Sequence, residues 1–120
     1  MAEIAYRPAQ VLTITKPARN LDPIDVIFLD HKPGAGRIVV RVYSQAWTAW
    51  WGAMGEHHTV RSFFLECDAS YLVAYLLQGQ YEHMKVRNRT LQDGYVERIV
   101  RSIQDALRVE AAMHDGKPQP

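Results

Sequence analysis

The chain has 120 residues, 48% of them hydrophobic, which suits one domain with its own core. With 14 Lys and Arg against 13 Asp and Glu, the formal net charge of +1 excludes action through bulk charge, either as an acidic DNA mimic or as a general polyanion binder. A single cysteine, Cys67, excludes an internal disulfide and a cysteine-rich zinc site, and suits a reducing compartment.

Residues 1–9 carry Pro8 and little pattern, and are expected to be flexible. "QVLTITKP" reads as a short strand stopped by Pro17, and "ARNLDP" as a turn. "IDVIFLDH" places Ile24, Val26 and Phe28 on one strand face and Ile27 and Leu29 on the other, so this strand is central or covered. "KPGAG" supplies a turn, and "RIVVRVYS" returns with Ile38, Val40 and Val42 on one face and Arg37, Val39, Arg41 and Tyr43 on the other. "QAWTAWW" continues as a further strand, ended by Gly52.

The period then changes from two to 3.6. Thr59 is placed to cap a short helix carrying Val60, Phe63, Phe64 and Cys67 on one side. Asp68 is placed to cap the next, with Leu72, Val73, Leu76 and Leu77 at helical spacing and Gly79 at its end. Residues 80–90 fit either a short helix or an ordered loop. Thr90 and Asp93 have the spacing of a capping box. Beyond them Val96, Ile99, Val100, Ile103, Ala106 and Leu107 form one apolar stripe, opposite Glu97, Arg98, Arg101, Asp105 and Arg108. The tail "HDGKPQP" is not expected to continue a helix. Strands first and helices after predict an α+β fold: an antiparallel meander of three or four strands followed by two or three helices packed on one face. The domain is expected over 10–113, with a disordered tail over 114–120.

The three tryptophans lie within five residues, in "WTAWW". On a strand, Trp47, Ala49 and Trp51 share one face while Thr48 and Trp50 share the other. A sheet covered on one side cannot bury both sets, so Trp47 and Trp51 are expected in the core and Trp50 exposed. Gly52 and Gly55 then free the chain to turn, which is expected to bring Trp50, Met54 and His57 to one rim suited to a protein partner.

"GAMGEHHT" has two glycines three residues apart, but an acid and two histidines stand between them and the next helix. It reads as a flexible turn, not a phosphate cradle. His57 and His58, with Glu66, Cys67, Asp68 and His83, make no ligand spacing, so no metal is expected. Glu56 and His57 have no nucleophile motif or oxyanion turn beside them, and no enzyme activity or cofactor is expected. Cys67, on an apolar helix face, reads as a buried, inert thiol. Lys85, Arg87, Arg89, Arg98, Arg101 and Arg108 are interleaved with Asp93, Glu97 and Asp105, leaving a net +3. That pattern suits a solvated face with local ion pairs or a contact surface for an acidic partner, in which case Arg98, Arg101 and Arg108 are the candidates. No apolar run reaches the roughly 18 residues that span a membrane, and the start "MAEIAYRPAQ" lacks a signal peptide's order.

Three stretches carry a resemblance: "ITKP"; Trp47 to Gly55, in the pattern W-x-x-x-W-G-A-M-G; and Phe63, Phe64, Cys67, Asp68, Tyr71 and Leu72, in the pattern FF-x-x-C-D-x-x-Y-L. Over roughly residues 11–78 the chain resembles small accessory proteins encoded by tailed bacteriophages and prophages of proteobacteria. The resemblance implies a phage accessory protein acting in the bacterial cytoplasm, and it carries over no catalytic residues. With no catalytic motif and one exposed aromatic candidate, the expected function is non-enzymatic: binding a host protein or nucleoprotein complex, for example as an anti-CRISPR-type inhibitor of a host defence system. The alternative is a nucleic-acid-binding protein of phage DNA metabolism, using the Lys85–Arg108 charges and a stacking tryptophan.

Overall fold

Alternation in the first half of the chain becomes four antiparallel strands, and the 3.6-residue period of the second half becomes three helices. The computed structural model describes residues 1–80 and 84–115. The elements are β1 (Gln10–Ile14), β2 (Ile24–Lys32), β3 (Ala35–Val42), β4 (Gln45–Trp51), α1 (Val60–Glu66), α2 (Ala69–Leu76) and α3 (Val86–Asp115). The sheet has the order β1-β2-β3-β4, a plain meander in which each strand pairs with its sequence neighbour. This is the expected α+β fold.

All three helices lie over one face of the sheet. That face contributes Ile24, Val26 and Phe28 from β2, Ile38, Val40 and Val42 from β3, and Trp47, Ala49 and Trp51 from β4, all buried. Against them α1 sets Val60 and Phe64, α2 sets Leu72, Val73 and Leu76, and α3 sets Val96, Ile99, Val100, Ile103 and Leu107. Trp51 lies between Phe63 and Tyr75, with ring centroids 5.3 and 5.6 Å away, and Trp47 meets the edge of Tyr95 of α3 at 6.0 Å. Buried Gln104 of α3 donates to the carbonyls of Phe64 and Cys67, satisfying acceptors that the C-terminal end of α1 leaves without an intrahelical partner.

Local sequence explains the boundaries. Thr59 caps α1 in a reciprocal capping box with Ser62. The Asp30 carboxylate adds a second cap by accepting from the Val60 amide at 2.8 Å. Asp68 stands at the start of α2, but its carboxylate accepts from the Ser70 hydroxyl and makes no bond to the helix backbone.

Several expectations are corrected. Tyr43 and Ser44 do not extend β3. They form the two-residue turn to β4, with Tyr43 at φ +53, so the hairpin closes two residues sooner. Thr90 and Asp93 do not start the last helix, which begins at Val86; the Thr90 hydroxyl instead reaches back to the Val86 carbonyl. No Gly or Pro interrupts residues 86–93, so helix formation runs ahead of the buried stripe and leaves Val86 and Leu91 exposed. At the other end the helix includes His114 and Asp115, counter to the expected break. The rest of the expected tail, 116–120, lies outside the described residues, as does His83. Cys67 is half-buried, and burial, with Glu66 next, pushes its thiol pKa up.

Candidate functional site

The face of the sheet turned away from the helices is uncovered. The strand register arranges it in three rows: Leu29, Arg37 and Trp50; then Val11, Ile27, Val39 and Thr48; then Thr13, Asp25, Arg41 and Ala46. The middle row is mostly aliphatic. Ile27, Val39 and Leu29 are only half-buried, and Val11 at the β1 edge is 63% exposed.

Trp50 stands at one corner, 45% exposed, while Trp47 and Trp51 are 3% and 4% exposed. Alternation along β4 accounts for the difference: the two flanking tryptophans point under the helices and Trp50 points away. The guanidinium of Arg37, directly across on β3, lies over the Trp50 ring at 5.7 Å from its centroid. Arg37 also donates to the Thr48 hydroxyl at 3.2 Å, and Thr48 donates to the Ile38 carbonyl. His31 meets the edge of Trp50 at 5.9 Å, and Arg7 donates to His31 Nδ1 at 2.9 Å. An indole is thus flanked by two groups that hold it in place, and among the described residues no carboxylate pairs with Arg37 or Arg7.

The third row holds an acid, Asp25. Asp25 accepts from Arg41 and from the Thr13 hydroxyl, and these bonds hold its carboxyl below the usual carboxylate range.

The other sequence candidates lie elsewhere. Met54 is buried at 6% exposure within the core and does not reach the rim, because the β4–α1 loop folds back over the sheet's end. His57 is exposed, but it lines a separate cleft of about 320 Å³ with Asp30, Lys32, Pro33, Glu56, His58 and Thr59. The histidine beside Trp50 is His31. Arg98, Arg101 and Arg108 lie on the solvent side of α3, across the molecule from the open sheet face. Arg98 stacks over Tyr95 and donates to the Arg19 carbonyl, Arg101 pairs with Glu97 at 3.5 Å, and Arg108 pairs with Asp105 at 3.4 Å. The exposed cluster therefore divides into two surfaces, with Trp50 on one and the three helix arginines on the other.

Sequence reasoning missed Arg37, Arg41, Leu29 and His31 as company for Trp50. The signal was present: the faces of β3 and β4 follow from alternation, and joining them by a two-residue turn sets Arg37 opposite Trp50.

Among the described residues no three His, Cys, Asp or Glu side chains are grouped to hold a metal ion, and no helix is long and apolar enough to cross a membrane. No curated protein and no solved structure matches the chain. A family model named Phage_phiTE_072 and described as a phage family matches residues 2–108. On that match, which takes in every strand and most of the helical half, the chain belongs to this phage family.

Proposed function

We propose that this protein is a non-enzymatic phage accessory protein that acts in the cytoplasm of the bacterial host by binding a host protein or protein complex through the open face of its sheet. The carrying observation is Trp50: a half-exposed indole, fixed by Arg37 and His31, at the corner of an uncovered aliphatic surface. Trp and Arg dominate the energetics of protein interfaces, above all where apolar neighbours exclude water around them. Inhibition of a host defence complex, of the anti-CRISPR type, is the concrete form of this reading. It suits a small chain whose chemistry is concentrated on a surface and not in a cleft.

The reading is tested by capture from host-cell lysate with the full chain as bait, comparing the unmodified protein, Trp50→Ala, and a variant with Arg98, Arg101 and Arg108 all changed to Ala. Loss of the same partner with Trp50→Ala, and its retention by the triple variant, is the expected result. The reverse pattern would move the function to the α3 face. Recovery of nucleic acid alone, released by salt, would favour the nucleic-acid reading.

A further inference from the structure

We infer that the open sheet face takes a polypeptide whose acidic side chains border an apolar strip, and not a nucleic acid. This rests on the reading of that face as the docking surface, and adds the chemistry of the occupant.

Two observations select it. The first is the middle row. Val11, Ile27 and Val39, with Leu29 beside them, offer aliphatic surface that is partly open to water. Burying it is favourable only against apolar atoms, which a polypeptide supplies and a sugar-phosphate backbone does not. Sheet surfaces that bind single-stranded nucleic acid stack successive bases on several aromatic rings. This face holds one tryptophan, and Arg37 already lies over one side of its ring.

The second is charge. Arg7, Arg37 and Arg41 stand around the aliphatic rows, and among the described residues only Arg41 of the three pairs with a carboxylate, that of Asp25. The imbalance is local: on α3, by contrast, Arg101 and Arg108 each have an acid within one helical turn. A guanidinium presents a planar fork of donors that matches a carboxylate in two parallel hydrogen bonds. Arg37 and Arg7 are held at the border of the apolar rows by Trp50, Thr48 and His31. The complementary surface is apolar at its centre and acidic at its border.

The test uses the full chain as bait for a random dodecapeptide display library, followed by titration of the selected peptides in labelled form. The expected sequences combine Asp or Glu with large aliphatic or aromatic residues. Their affinity is expected to fall roughly thirtyfold or more in Trp50→Ala and in Arg37→Glu, the scale of an interface hot spot, with native-like thermal melts. Re-selection on Arg37→Glu is expected to lower the acidic content. Neutral or basic peptides that still depend on Trp50 would contradict the acidic occupant and leave the docking face standing. Peptides indifferent to Trp50, or no enrichment over an unrelated folded bait, would overturn both. Trp50-dependent binding of oligothymidine, falling steeply with salt, would also overturn the inference in favour of nucleic acid.

Discussion

The backbones of Gly34 and Gly55 pass so close that a β-carbon on Gly34 would stand 2.9 Å from the Gly55 carbonyl oxygen. Both residues are at positive φ, +82 and +99. The Met54 amide donates to the Gly34 carbonyl at 2.7 Å, and the Gly34 amide donates to the His58 carbonyl at 3.1 Å. The β2–β3 turn and the β4–α1 loop thus form a clasp, which draws Met54 inward and sends the chain from sheet to helix. Gly34→Ala combines a strained φ with a backbone collision, and is expected to lower stability by about 1–3 kcal/mol. Chemical denaturation measures it; an unchanged midpoint would mean that the two segments are not held together.

The long helix α3 divides into a packed part and an exposed part, and two variants separate them. Ile103 is fully buried and Leu91 is 68% exposed. Ile103→Ala is expected to cost about 2–4 kcal/mol as a core truncation. Leu91→Ala, on the exposed first turns, is expected to stay within about 0.5 kcal/mol of the unmodified protein. Equal losses in denaturant would contradict this division.

Asp25 makes a prediction with a defined sign. Its folded pKa lies below the usual carboxylate range, first through the bond from Arg41 and then through that from Thr13. Stability from a carboxylate lowered in this way is present above the unfolded pKa and lost as pH falls through the folded one. The gap in melting temperature between the unmodified protein and Asp25→Asn is therefore expected to be level between about pH 5 and 8 and to shrink below about pH 4. Because the pair is at the surface the gap itself is small, and its pH dependence carries the prediction. A gap that persists undiminished in acid would mean that the ionised carboxylate is not what the mutation removes.

The sheet was legible because Ile38, Val40 and Val42 alternate with Arg37 and Arg41, and a period of two states which face is buried, while β2, apolar on both faces, reads as a central strand. The same logic separated Trp50 from Trp47 and Trp51. What was not legible depended on long-range backbone contacts. "GAMG" shows two glycines but not that one of them meets Gly34, some twenty residues earlier, so Met54 read as a rim residue when the clasp buries it. The start of α3 was misplaced for a different reason: its first turns bury nothing, so a reading led by the apolar stripe began too late. The open sheet face was half legible, since Arg37 and Arg41 were placed on one side of their strand, and only the pairing of β3 with β4 sets that side beside Trp50.

The central claim is that Trp50 belongs to the surface that works and its two neighbours to the core that folds. Trp47→Ala and Trp51→Ala, each removing a buried indole, are expected to lower stability by about 3 kcal/mol or more. Trp50→Ala is expected to change stability by less than about 1 kcal/mol. The most direct measurement is a titration of the captured host partner against Trp50→Ala, with a thermal melt of the same sample. The account predicts a native-like melt with binding weakened by about 2 kcal/mol or more, close to thirtyfold in affinity. Unchanged affinity in a properly folded Trp50→Ala protein would contradict it.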